Sequence, residues 1–149
     1  MTIQLLKMAI KFFNDGSSCR FAGKRAVAAW VARCVAREGY AAGEVSIIFC
    51  SQQRHLEINR RYLGHDYATD VITFDYSDLA RGMVSGDVFI DPVTVAENAQ
   101  EYGVSVREEM LRVVAHGVLH LCGYGDATPD EQMTMREKED EWIAAATDT

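Results

Sequence analysis

The segment that most constrains the fold of this chain is a predicted helix with two histidines that ends at a glycine turn. His116 and His120 are four residues apart, which places them about 40° apart around a helix and one turn apart along it. A Gly-Tyr-Gly run follows at 123–125, and glycine just past the last turn commonly ends a helix. The chain can then fold back and bring Asp126 to the same point.

These three side chains predict a metal site. Two imidazoles on one helix face can bind one ion, and the Asp126 carboxylate supplies a third ligand. Three ligands leave positions for water and substrate, which is typical of a catalytic site, whereas closed structural sites have four. We interpret the pattern as a mononuclear hydrolytic centre. The alternatives are ordinary surface or core histidines, and a structural metal that joins the C-terminal helices.

The residue after the first histidine narrows the reaction class. Zinc peptidases have a glutamate at that position, where it acts as general base, whereas this chain has Gly117. The nucleophile would then be a water molecule whose pKa is lowered by the metal itself. A hydrolase that acts on peptides or small amides is therefore a minor alternative.

The composition is that of a soluble globular protein. The 149 residues are 48% hydrophobic and 25% charged, and we expect one domain over 1–149. No apolar stretch approaches the roughly 20 residues of a membrane span. The run at 3–13 contains two lysines and no cleavage site, so we do not interpret it as a signal peptide. Four scattered cysteines predict reduced thiols in a cytoplasmic protein, with Cys122 facing the core rather than the metal.

Charge is distributed unevenly along the chain. The net charge is −7, yet residues 1–65 contain ten Lys and Arg against four Asp and Glu, and the remainder contains five against eighteen. The first part is therefore +6 and the second −13. A basic half is compatible with a polyanion such as nucleic acid. Basic residues that solvate an amphipathic helix explain the same pattern equally well.

Hydrophobic periodicity predicts strands and helices in mixed order. We expect a turn at 14–18, strands at 3–13, 45–50, 71–76 and 84–90, and helices at about 24–38, 51–62, 92–102, from 105 and from 128. Ser105 with Glu108 three residues later is a predicted capping box. In the last helix we expect Met133, Met135 and Trp142 to face the core. The fold class is α+β, a small mixed four-stranded sheet covered by about five helices.

Four blocks of the sequence agree in order and spacing with the sequence pattern of one protein family. The agreement extends over nearly the whole chain and is weakest in residues 1–40. The blocks are Ile58-Asn59 with Tyr62, the run 69–74 (Thr-Asp-Val-Ile-Thr-Phe), the run 86–88 (Gly-Asp-Val) and the run 116–124. Met135 and Glu139 fit the same pattern. Together these blocks resemble the YbeY family, metal-dependent endoribonucleases that act as rRNA maturation factors.

The resemblance implies a zincin-like hydrolase fold with one zinc ion held by three ligands. It also implies cleavage of single-stranded RNA, maturation of the 16S rRNA 3′ end and ribosome quality control. The implied partners are rRNA and the pre-ribosomal small subunit, with a small-subunit ribosomal protein near the rRNA 3′ end. His116 and His120 correspond to the first two ligands, and Asp126 stands where the family usually has a histidine. A carboxylate lowers the site charge by one and extends the candidate metals to iron, manganese or nickel.

A second departure from the family pattern concerns a basic side chain. The family commonly has an arginine, thought important for RNA cleavage, where this chain has Leu63. If a cation is still required, Arg60 lies three residues earlier on the same helical face and is our candidate catalytic residue. His65 is another option, and Arg60 as a merely solvated helix residue is equally compatible with the sequence.

The resulting hypothesis is hydrolysis of an RNA phosphodiester by a metal-activated water, with Arg60 neutralising charge in the transition state. A ribose 2′-hydroxyl nucleophile is the other route. Substrate is expected to approach over the basic first half of the chain. Thr69 and Asp70 either line the cleft or tie down the loop before the third strand. The alternative function is a non-catalytic ribosome-assembly factor that retains a structural metal.

Overall fold

The computed structural model describes residues 9–64, 69–146 and 149, and these form a four-stranded sheet with five α-helices. Residues 79–81 form a short 3-10 turn between the predicted strands at 71–76 and 84–90. The elements are β1 (Ile10–Asp15), α1 (Lys24–Arg37), β2 (Ala41–Cys50), α2 (Gln52–Leu63), β3 (Val71–Asp75), β4 (Met83–Ile90), α3 (Pro92–Tyr102), α4 (Val106–Leu121) and α5 (Pro129–Ala144). Both the predicted order of elements and the α+β class are confirmed.

The main differences from prediction are at the ends of two strands. β1 extends to Asp15, two residues into the predicted turn, because it pairs with β2 along its whole length, from Ile10 with Val45 to Asp15 with Cys50. The predicted residues 3–8 of this strand lie outside the described residues. β2 begins at Ala41, four residues earlier than predicted, because Ala41 and Ala42 pair with β4 before a bulge. Cross-strand pairing fixed both boundaries.

The sheet is mixed, with strand order β1-β2-β4-β3. β1, β2 and β4 are parallel, and β3 runs antiparallel to β4. α1 packs on β1 and β2, and α4 packs on β3 and β4 and also contacts α3 and α5. The Trp30 indole donates a hydrogen bond to the Trp142 carbonyl at 2.8 Å, which joins α1 to α5. A single core therefore lies between the sheet and these helices.

Helix ends follow from capping side chains. Ser105 Oγ accepts a hydrogen bond from Glu108 N at 3.0 Å, which confirms the predicted start of α4. The reciprocal capping box forms instead at α5, where Thr128 and Glu131 each bond the other's backbone N–H. Capping of this kind stabilises a helix by about 1 kcal/mol.

α5 presents one buried stripe. Met135 and Trp142 are buried as predicted, but Met133 is 63% exposed, so its assignment to the core was wrong. Residues two apart on a helix point about 200° away from each other, and the stripe that packs on α4 is the one at 135, 139 and 142. Among the described helices, none combines the length and apolar composition needed to cross a bilayer.

All four cysteines have free thiols, as expected. Cys122 is 5% exposed and belongs to the core, which confirms the prediction that it faces the core. Burial raises the pKa of the Cys34 thiol to about 11 and the pKa of the Cys50 and Cys122 thiols to about 12. Because the thiolate is the reactive form, these three buried cysteines are inert at neutral pH.

Candidate metal centre

α4 has two chemically different sides. Most of its circumference is apolar and buried against the sheet and its neighbours. The polar side chains Arg112, His116 and His120 recur every four residues and so form one stripe along the helix. Both histidines are partly exposed, at 25% and 23% of their side-chain area. This stripe places two imidazoles at the C-terminal end of α4 where solvent can reach them.

Gly117 allows α4 to lie close to the sheet. A Cβ atom at this position would be 2.6 Å from Val88 Cγ1, which is closer than side chains tolerate. Position 117 therefore faces β4 and has no room for any side chain. The absence of a peptidase-type glutamate after the first histidine has a packing reason in this fold.

The glycine turn after α4 has the geometry of a Schellman motif. Gly123 has a φ of 100°, its N–H bonds the His120 carbonyl at 3.0 Å, and the Tyr124 N–H bonds the Leu119 carbonyl at 3.1 Å. The chain then reverses towards α5, where the Gln132 side chain donates to the Asp126 carbonyl at 3.1 Å. The turn thus returns Asp126 to the end of α4, as the sequence predicts.

The three predicted ligands converge. The two Nε2 atoms are 3.0 Å apart, and Asp126 Oδ2 is 3.3 Å from that of His116 and 3.2 Å from that of His120. Ligands bound tetrahedrally to zinc at 2.0–2.1 Å lie about 3.3 to 3.4 Å from one another. Among the described residues (9–64, 69–146 and 149), His116, His120 and Asp126 are the group of three potential ligands that lie close enough together to hold one metal ion.

The other ring nitrogen of each histidine already has a partner. His116 Nδ1 lies 2.7 Å from Glu139 Oε2, and His120 Nδ1 lies 2.9 Å from the Tyr124 carbonyl oxygen. Both partners only accept hydrogen bonds, so the geometry assigns the ring proton to each Nδ1 and a lone pair to each Nε2. Two lone pairs and a carboxylate oxygen then face one another, an arrangement that attracts a cation. The donor set therefore fits a metal ion.

Glu139, which fits the family pattern, contacts this site but was given no role in it from the sequence. Its carboxylate is 8% exposed, bonds His116, and is also 3.1 Å from Arg112 Nη1. Burial raises the pKa of Glu139, but the bonds to His116 and Arg112 outweigh burial and hold that pKa below its usual value. The signal available in the sequence was an acid on the buried stripe of α5. A carboxylate behind a ligating histidine fixes its tautomer and orientation.

The acidic groups around His116 also favour a positive charge at this position. Burial lowers the pKa of His116, but the hydrogen bond and charge of Glu139, with the charges of Asp126 and Asp70, raise it above its usual value. In the metal-free protein a proton on the ring can thus supply the positive charge that the acidic groups favour. A metal ion bound at this site would compete with the proton for the imidazole.

Asp70 belongs to the loop before β3. Its carbonyl accepts a hydrogen bond from Asp91 N at 3.0 Å, and its carboxylate accepts one from Asn98 Nδ2 at 3.4 Å. These bonds support the loop-anchoring role, while its charge also acts on His116. Thr69 is half-buried beside it.

Arg60, the candidate catalytic cation, lies on α2. Arg60 is exposed and, with Arg54, Arg61 and Tyr62, lines a shallow groove of about 410 Å³. None of the three metal-site side chains lines this groove among the described residues. Leu63 ends α2 with 43% of its surface exposed. His65 lies outside the described residues.

Comparison with known proteins identifies the family. A family model described as Endoribonuclease YbeY matches residues 14–147. This chain belongs to the YbeY family. The sequence resemblance to that family is thereby confirmed.

Curated relatives and a solved structure agree with this assignment. A Bacteroides thetaiotaomicron protein named Endoribonuclease YbeY is 42% identical over 92% of this chain and 98% of its own length. Relatives of the same name from Parabacteroides distasonis and Flavobacterium psychrophilum are 41% and 46% identical, over 92% and 75% of this chain and 95% and 79% of their own. The solution structure of TM1509 from Thermotoga maritima superposes with a TM-score of 0.66 at 27% identity, covering 92% of this chain and 88% of that one.

Proposed function

We propose that this protein is a metal-dependent endoribonuclease that cleaves single-stranded RNA. Two findings support the proposal: membership of a family whose matched model and relatives are named endoribonucleases, and the His116, His120 and Asp126 cluster. The observation that argues most for catalysis is the number of protein ligands. Three donors leave coordination positions for water and substrate.

The proposed ligands are His116 Nε2, His120 Nε2 and one carboxylate oxygen of Asp126. The proposed ion is zinc, with iron, manganese or nickel as substitutes that a two-histidine, one-carboxylate set also suits. When bound, such an ion acts as a Lewis acid that lowers the pKa of water and polarises a phosphate oxygen. Glu139 orients His116 and, in this proposal, adds negative charge behind the ligand.

Arg60 is proposed as the cation that neutralises charge on the scissile phosphate. Its support is position: it lies one turn before Leu63, where the family commonly has an arginine, and it is exposed on α2. Arg54 and Arg61 line the same groove together with one acid, Glu57, so substrate approaching over α2 would meet more guanidinium groups than carboxylates. The acidic second part of the chain would repel RNA elsewhere.

The proposed biological substrate is the 3′ precursor end of 16S rRNA in the small ribosomal subunit. A small-subunit ribosomal protein near that end is the proposed protein partner, and the cytoplasm is the proposed compartment. The substrate and the protein partner are inferred from the family resemblance of the sequence, and the compartment is inferred from the scattered, free cysteines.

The test is cleavage of an end-labelled single-stranded RNA that spans a 16S 3′ precursor end. We expect cutting by the wild-type protein that a chelator abolishes and zinc restores, and no cutting by His116→Ala. Arg81→Ala, on an 87% exposed side chain, is the surface control purified in parallel and should cut like wild type. Equal cutting by His116→Ala would reveal a contaminating nuclease. A lack of cutting by zinc-loaded wild type, on free RNA and on pre-ribosomal particles alike, would contradict the proposal.

A further inference from the structure

A second buried carboxylate, Glu38, lies outside the metal cluster and connects three parts of the fold. It directly follows α1, and its side chain is 6% exposed. One oxygen accepts a hydrogen bond from the Tyr124 hydroxyl at 2.5 Å. The other accepts from Lys138 Nζ and from Trp142 Nε1, each at 3.3 Å, both on α5. Burying a charged group is costly unless it is paired in this way.

Tyr124 links this carboxylate to a candidate ligand. Its hydroxyl bonds Glu38, while its backbone carbonyl accepts the Nδ1 proton of His120 at 2.9 Å. The two ends of one residue are thus fixed by groups that are far apart in the chain. Lys138 Nζ also lies 5.7 Å from the centre of the Tyr124 ring.

The direction of the Tyr124 carbonyl depends on the peptide plane between residues 124 and 125. Position 125 is glycine, the residue that restrains backbone rotation least. The hydrogen bond that anchors the Tyr124 ring therefore compensates for the backbone freedom of Gly125. If the ring were released, the carbonyl would be free to turn away from His120 Nδ1, and that imidazole would lose its fixed tautomer and orientation.

We propose that Glu38 is a positioning residue of the metal centre: by holding the Tyr124 hydroxyl, it fixes the carbonyl that orients His120 towards the ion. The inference rests on the metal site of the proposed function and is independent of RNA cleavage. Glu38 touches neither the ion nor substrate. It acts through Tyr124, from an element more than 80 residues away in the sequence.

The experiment measures zinc affinity of the purified full-length protein by competition with a chromophoric chelator. Tyr124→Phe removes only the hydroxyl and keeps the ring. We expect its zinc affinity to fall about tenfold, at the lower end of effects from partners of metal ligands. Glu38→Ala should lose a similar factor. Because both changes break the same hydrogen bond, the double variant should lose no more than either single variant.

Two controls separate positioning from stability. Tyr102→Phe alters a tyrosine that is 62% exposed at the end of α3, and Lys138→Met removes a Glu38 partner without removing the Tyr124 bond. Both should bind zinc within about twofold of wild type. Thermal unfolding of the metal-free variants is recorded alongside, since a purely structural clasp would lower the melting temperature and leave zinc affinity unchanged.

The outcomes are distinct. Wild-type zinc affinity in Tyr124→Phe would overturn the proposal, and this variant is informative even if Glu38→Ala fails to fold. A tenfold loss in Tyr124→Phe with none in a folded Glu38→Ala would remove Glu38 from the pathway and overturn it as well. If wild type binds zinc but cuts no RNA, the proposed function fails while this measurement still decides the role of Glu38.

Discussion

The two histidines of the candidate metal centre share a helix but are oriented by different regions of the molecule. His116 depends on α5, whose Glu139 carboxylate reaches it from 23 residues away. His120 depends on the turn that follows its own helix, through a carbonyl four residues later. The α5 side provides a charged partner, and the turn side provides a neutral one that is itself anchored by a distant carboxylate. The two candidate ligands are therefore oriented by different kinds of partner, one a carboxylate and the other a backbone carbonyl.

Removal of either candidate ligand should have the largest effect on zinc affinity, and the loss should be similar for the two histidines although different regions orient them. His116→Ala and His120→Ala should each weaken zinc binding by more than about a hundredfold, beyond the range seen for residues that only orient a ligand. Chelator competition measures both. A variant that retained near-wild-type affinity would show that its histidine is not a ligand.

Glu139→Gln tests the α5 side alone. The amide oxygen can still accept the Nδ1 proton, but the negative charge behind His116 is lost, and we expect zinc affinity to fall by about ten- to a hundredfold. The matched change on an exposed acid of the same helix, Glu137→Gln, should leave affinity unchanged. Equal affinities for the two variants would contradict a role for Glu139 in metal binding.

Glu38→Gln tests the carboxylate that anchors the turn, through the pH dependence of stability. Burial raises the pKa of Glu38, but its hydrogen bonds to Tyr124, Trp142 and Lys138 outweigh burial and lower that pKa below its usual value. A lowered pKa contributes stability above about pH 4.5, and this is lost as the pH falls through the folded-state pKa.

We therefore expect Glu38→Gln to cost about 2 kcal/mol at pH 7 and progressively less below pH 4.5. Urea unfolding of the metal-free protein between pH 7 and pH 3.5 measures this. Exposed Glu101→Gln is the control. A cost that stays constant over this range would contradict the ionic role of Glu38.

Gly117→Ala tests the side of α4 that packs against β4. Alanine favours a helix by about 1 kcal/mol over glycine, but a methyl group would meet Val88 at 2.6 Å, and overpacking costs about 1 to 3 kcal/mol. We expect a net loss of about 1 kcal/mol in unfolding free energy, measured by urea denaturation. Val106→Ala, at an exposed residue of the same helix, provides the comparison. Increased stability of Gly117→Ala would show that α4 can move away from the sheet.

Asp126→His should have the smallest effect. It replaces the carboxylate with the ligand that the family usually has and makes the site less negative by one charge. We expect zinc affinity within about fivefold of wild type, and a shift of metal preference from manganese towards zinc. Competition titrations with both metals measure the ratio. An unchanged ratio would indicate that the carboxylate does not set metal choice.

Much of the fold follows from local patterns because those patterns have local causes. Ser105 and Thr128 mark helix starts through hydrogen bonds to residues three positions later, and Gly123 marks a helix end through its positive φ. Strand ends were less predictable, since β1 and β2 extend as far as their partners allow. Met133 shows the same limit, because the side of α5 that is buried depends on where α4 lies.

The sequence by itself determined the candidate ligand triad, since a helical spacing of four and a glycine turn bring His116, His120 and Asp126 together over eleven residues. The tertiary structure decided how those ligands are held. Glu139 of α5 contacts His116 directly, and Glu38 at the end of α1 contacts Tyr124, whose carbonyl bonds His120. Neither helix periodicity nor turn geometry relates these two acids to the histidines. The physical reason is the separation along the chain over which each interaction acts. Helix periodicity and turn geometry act between near neighbours, whereas a buried carboxylate finds its partner only after the core has packed.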